Sequence, residues 1–125
     1  MEMTPLIPGD RQLIAAYGPG LFRVSGVIHE QSIIVFPDRT EDWAVTSFDQ
    51  IDADSFAAVA AAVPPVEVLL LGTGARHEFV PPALRRTLRE AGIALDTMDT
   101  GAACRTYNVL MAEDRRVAAA LIALE

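Results

Sequence analysis

Apolar and polar positions change their period near the middle of the chain. In the first half, "LFRVSGVI" (21–28) sets Phe22, Val24 and Ile28 on one side and Arg23 and Ser25 on the other, the alternation of a half-buried strand. Before it, Gln12–Tyr17 is largely apolar, and "GPG" at 18–20 marks a turn. After it, His29–Gln31 turns the chain into "SIIVF", a second strand that Pro37-Asp38 ends, and Trp43–Val45 reads as a short further strand. Short strands joined by turns predict an antiparallel meander.

From Asp52 onward the spacing becomes helical. Phe56, Val59, Ala60 and Val63 share one helix face, with Asp52 and Asp54 where the helix dipole favours acids and Pro64-Pro65 as the stop. "VEVLLLG" follows as a strand of the kind buried on both faces. A helix over Pro82–Ala91 turns Leu84, Leu88 and Ala91 inward and Arg85, Arg86, Arg89 and Glu90 outward, and Gly92 closes it. "IALDTM" is the next strand, and a helix then runs from Asp99 or Thr100 to about Ala112. The tail "RRVAAALIALE" admits helix or strand; "EDRR" reads as a turn, and a final strand is the reading adopted.

These elements predict an α/β fold: a single domain over residues 12–125, preceded by an arm at 1–11, with an antiparallel meander in the N-terminal half and a βαβ-type unit in the C-terminal half. A chain of 125 residues with 51% hydrophobic residues can build such a core.

Charge narrows the partners. The net charge is −7, and every basic residue is arginine. An acidic surface disfavours nucleic acid and anionic membranes, which need a positive face. No stretch approaches the roughly 20 apolar residues that cross a bilayer, so no transmembrane segment is expected. "MEMTPLIPGDRQ" has no basic-then-apolar leader and there is one cysteine, so the expectation is a soluble cytoplasmic protein.

If the 82–91 helix crosses over the sheet, the flanking strands are parallel and end at one edge, where clefts form in open α/β sheets. That edge joins the loop "GTGARHEF" (72–79) to the start of the "DTGAACRTYNVL" helix (99–110). Gly72, Thr73 and Gly74 allow close backbone approach, Thr100 and Gly101 open a helix with unpaired N–H groups, and Arg105, Arg76 and His77 add cationic or titratable side chains. This donor set suits a small carboxylate or phosphate. The same residues also have plain structural readings: glycines that turn the chain, Thr100 or Asp99 as a helix cap, and an arginine that pairs with Asp99 or satisfies carbonyls of the loop. There is no dinucleotide or phosphate-loop fingerprint, and no cofactor is expected. Cys104 near a helix start is a candidate nucleophile with His77 as its base, or else a small buried hydrophobe. Tyr107 and Asn108 read as polar side chains that tie the helix to its neighbours. His29 and His77 lie too far apart in sequence to give a metal-ligand spacing, so no metal is expected.

"VLLLGTG", "MDTGAACRTYNVL" and "AEDRRVAAALI" resemble the family of small proteins that includes mitochondrial complex I assembly factor three and the adipogenesis-associated domain protein. The resemblance runs from about Tyr17 to Leu124 and is most specific over Met98–Leu110. It implies a three-layer α/β fold with a mixed sheet and a final strand, and no established enzymatic activity. It also implies a cleft near Gly72, Gly74, Thr100, Arg105 and Tyr107. The leading expectation is therefore a non-enzymatic module that works through protein partners in assembly of a membrane complex. The alternative is a protein, an enzyme included, that binds a small anionic ligand between 72–79 and 99–107.

Overall fold

The computed structural model describes residues 11–125. The arm expected at 1–11 lies, apart from Arg11, outside these residues. Two sheets are present. The first is three-stranded and antiparallel, with β1 (Ile14–Gly18), β2 (Leu21–Val24) and β3 (Val27–His29) side by side. The second combines β4 (Ile33–Phe36), β5 (Arg39–Asp42), β6 (Val68–Gly72), β7 (Ala94–Met98) and β8 (Val117–Leu121) in the order β5-β4-β8-β6-β7. β6 runs parallel to both β7 and β8, whereas β4 is antiparallel to β5 and β8, so the sheet is mixed.

The C-terminal segment is thus a strand, and it forms the centre of the large sheet. All of Val117–Leu121 is buried. Period-2 alternation sends Leu69, Leu71, Ala118 and Ala120 to one face, and Leu70, Val117, Ala119 and Leu121 to the other. The first face is covered by Leu84 and Leu88 of α2 (Pro82–Glu90) and by Trp43, Phe56 and Val59. The second receives Cys104, Tyr107 and Met111 of α3 (Thr100–Ala112), on which Ile14, Phe22 and Val24 of the small sheet also pack. The mixed sheet between helical layers follows the expected α/β class.

Several local expectations are corrected. "LFRVSGVI" is not one strand. Ser25 (φ 46) and Gly26 (φ 85) both take the left-handed region, as the tight turn between twisted strands requires. The chain therefore doubles back, and Ile28 pairs with Arg23 and is exposed instead of joining Phe22 and Val24. The expected meander is accordingly split between two sheets. Pro37-Asp38 ends β4 as expected, but it turns the chain directly into a strand that was not expected, β5, with Phe36 opposite Arg39. β5, "RTED", carries no apolar residue, so periodicity hid it. Trp43 and Val45 lie just past it outside any strand, buried all the same, and the Trp43 indole N–H donates to Ser55 O at 2.8 Å.

The helix expected through Val63 is a 3₁₀ turn (Ala53–Phe56) followed by one α-turn, α1 (Ala57–Ala60). Asp52 caps it by accepting from Ser55 N at 3.1 Å. Phe56 and Val59 are buried as expected, but Ala60 and Val63 are exposed. A residue before proline avoids the helical region, so the chain unwinds ahead of Val63-Pro64. In α2, Leu84 and Leu88 are buried and Ala91 is exposed, because the helix ends at Glu90 and Gly92 (φ 83) turns the chain out.

Candidate functional site

Parallel pairing of β6 with β7 and β8 brings three chain segments to one edge. Thr73 N donates to Met98 O at 2.9 Å, Ile122 N to Gly72 O at 3.0 Å, and Gly20 N to Leu124 O at 2.7 Å. The loop after β6 and the start of α3 do meet there. Thr100 joins them: its N–H donates to Gly74 O at 2.8 Å, and its hydroxyl accepts from Gly74 N at 2.9 Å and donates to Ile122 O at 2.8 Å.

The contact is tight. A Cβ on Gly72 would lie 3.0 Å from Thr100 Cα and 3.1 Å from a Leu121 methyl carbon. Glycine is needed here for close packing of strand against helix. The helix start is equally committed, since Ala102 N donates to the Asp99 carboxylate at 2.9 Å and Ala103 N to Asp99 O at 3.0 Å. With Thr100 N bonded to Gly74 and Ala102 N to the Asp99 carboxylate, two of the otherwise unpaired helix-start donors already have protein acceptors. Thr73 is spent likewise: it is buried, and its hydroxyl accepts from Glu78 N at 3.1 Å while lying 2.5 Å from Arg76 O.

Arg105 projects from this edge and is exposed. It donates to the Tyr17 hydroxyl at 2.7 Å, and Asp99 is engaged in capping instead. Gly101 faces the same tyrosine, whose hydroxyl would meet a Cβ there at 2.5 Å. Tyr17, absent from the sequence-derived site, is the residue that organises Arg105 and Gly101. Its place at the end of a strand before "GPG" was the available signal.

Tyr107 is not at this edge. It is fully buried under the small sheet, where its hydroxyl donates to Gln12 O at 2.8 Å, and burial pushes its phenol well above the ordinary tyrosine range. Cys104 is buried beside it. Desolvation raises the thiol to about 12, against the opposing pull of the neighbouring Arg105 guanidinium. His77 lies on the exposed loop, its Nε2 2.8 Å from the Thr97 hydroxyl and its ring 4.5 Å from that of Phe79. The nucleophile–base pair weighed from the sequence is thus divided between an interior thiol and an exposed imidazole with other partners.

Arginines gather at the opposite edge, where β6 and β8 begin and β4 ends. A cavity of about 350 Å³ opens there, with Phe36, Val66 and Val117 among its lining and Arg39, Arg115 and Arg116 around it. Sequence reasoning passed over this edge. The "EDRR" turn leading into the final strand was its signal. Among the described residues no group of His, Cys, Asp and Glu side chains is placed to hold a metal ion, and no helix is long and apolar enough to cross a membrane.

Comparison with known proteins places residues 14–122 in a match to the family described as a protein of unknown function (DUF498/DUF598). An uncharacterised protein of Rhodobacter capsulatus is 37% identical over 122 residues, covering 96% of this chain and 93% of that one. NADH dehydrogenase [ubiquinone] 1 alpha subcomplex assembly factor 3 of Danio rerio is 37% identical over 110 residues, covering 88% of this chain but only 63% of that protein. A crystal structure of a Bordetella parapertussis protein superposes with a TM-score of 0.83 at 38% identity, covering 90% of this chain and 96% of that one.

Proposed function

We propose that this chain, which belongs to the DUF498/DUF598 family, is a non-enzymatic protein-interaction module that assists assembly of an NADH dehydrogenase. The observation that carries this reading is the 37% identity, over 88% of the chain, to a relative named as an assembly factor of that complex. The relative is longer, so the proposal concerns the part of its role that the shared domain performs.

Two features of the molecule support the reading. The candidate nucleophile is interior, its thiol raised to about 12 by burial, and the Thr100 and Ala102 N–H groups at the helix start are used within the fold. The surface also presents apolar groups that a partner can cover. Val27 and Ile28 lie on the outer strand of the small sheet, which has one backbone edge unpaired among the described residues, and Phe79 is 78% exposed on the loop after β6.

The test is co-purification of the tagged chain from its own organism. NADH dehydrogenase subunits or assembly intermediates should accompany the wild type, and an Ile28→Glu/Phe79→Glu variant should lose them. Retention of every partner by the variant would place the contact elsewhere. Absence of those subunits from the wild-type sample would contradict the reading.

A second reading, a small-anion site between 72–79 and 99–107, draws on one observation: the exposed Arg105 guanidinium held by Tyr17 at that edge. Gly72, Thr73, Gly74, Thr100 and Gly101 would shape such a site only through groups still free after the bonds described above.

A further inference from the structure

We propose that the cavity at the starting edge of β6 and β8 binds a small carboxylate that carries an apolar group. This goes beyond the assembly reading and does not depend on it.

The lining has two chemistries. Phe36, Val66 and Val117 are each buried side chains at the ends of adjoining segments, and they give the cavity an apolar floor. Around them stand Arg11, Arg39, Arg115 and Arg116, against only Asp38 and Asp114 among the lining residues. In a chain of net charge −7, this one cavity draws together four of the ten basic residues. Glu41 and Glu67 pair with Arg39 and Arg116 from outside the lining, so four carboxylates balance the four guanidinium groups, and what the edge offers an anion is a concentration of guanidinium donors rather than net positive charge.

The four guanidinium groups are not equivalent. Arg39 is fixed by Glu41 at 2.7 Å and Asp38 at 3.1 Å, with its guanidinium carbon 3.9 Å above the Phe36 ring. Arg11 is fixed by Asp114 at 2.7 Å. These pairs set the shape of the rim. Arg116 reaches Glu67 only at 3.8 Å, and Arg115 forms no ion pair among the described residues. Arg115 and Arg116 therefore have donors to offer, and a guanidinium fork matches a carboxylate with two parallel hydrogen bonds. A bare ion would leave the apolar floor unused and an uncharged apolar molecule would leave the arginines unused. A volume of about 350 Å³ lies at the small end of the range for organic ligands.

The experiment is an amide NMR titration of the intact protein with phenylacetate, with 2-phenylethanol and acetate as the partial probes. The expected result is saturable shifts at Phe36, Val66 and Val117 with phenylacetate, and much smaller ones with either partial probe. The double variant Arg115→Gln/Arg116→Gln changes exposed side chains and should keep its spectrum elsewhere. It should bind phenylacetate about tenfold more weakly, the worth of one charge-assisted hydrogen bond. The proposal is overturned by an absence of saturable shifts, by shifts of equal size with 2-phenylethanol, by shifts confined to the Gly74–Thr100 edge, or by unchanged affinity in the double variant. None of these results involves an NADH dehydrogenase, so failure here and failure of the assembly reading are separate events.

Discussion

The Asn108 side chain behaves as a peptide group toward Ile14. Its Oδ1 accepts from Ile14 N at 2.9 Å and its Nδ2 donates to Ile14 O at 2.8 Å. Among the described residues β1 has β2 on one side only, and one amide side chain from α3 satisfies both Ile14 backbone groups on the other. The small sheet is thereby locked to the helix that the large sheet carries.

Replacing Asn108 with Ala strands both backbone groups of a residue that is 5% exposed. The expected loss is about 2 kcal/mol, since an unsatisfied buried polar group costs roughly 1–3 kcal/mol. Urea unfolding measures it. A loss near zero would mean that water replaces the amide without penalty.

Gly72→Ala tests the close approach of β6 to α3. The added methyl meets helix backbone at Thr100 Cα, which cannot swing aside as a side chain can. Destabilisation of about 1–3 kcal/mol is expected, the usual range for overpacking. Thermal unfolding of the two proteins side by side is the measurement.

Arg105→Ala separates a buried charge from an exposed one. Arg105 and its partner Tyr17 both reach solvent, so stability should change by no more than about 0.5 kcal/mol. A loss of several kcal/mol would require a buried partner charge, which this arrangement does not contain.

Alkaline pH should destabilise the fold. Cys104 holds its proton more tightly folded than unfolded, rising from 9.0 to about 12, and Tyr107 is raised in the same direction, both chiefly by burial. Their contribution is full below the unfolded pKa values and declines as pH rises from about 9 toward the folded values. Urea midpoints across this range should fall, and less steeply in Cys104→Ala. At neutral pH, iodoacetamide should modify Cys104 only as the protein unfolds.

Where burial followed a clean period, the sequence was sufficient. Leu69–Leu71 and Leu84/Leu88 announced a parallel strand and its crossover helix, and the start of α3 was legible to within one residue, Asp99 or Thr100, with Asp99 the cap. Legibility failed where conformation depended on backbone or on distant partners. The Ser25-Gly26 turn needs two left-handed residues, and nothing in the alternation of "LFRVSGVI" demands the break. β5 is held by ladder bonds to β4 and needs no apolar residue of its own. The edge at Gly72 and Thr100 was found from topology, but the sequence does not reveal that Thr100 fills its own donors. Tyr107 illustrates the same limit, because helix spacing alone did not say that it points to Gln12 and away from Arg105.

The most direct test of the assembly reading is to delete the gene for this chain and resolve the membrane complexes on a native gel stained for NADH dehydrogenase activity. The fully assembled complex should be lost, smaller intermediates should accumulate, and restoring the wild-type chain should recover it. An unchanged amount of assembled complex in the deletion strain would contradict the reading.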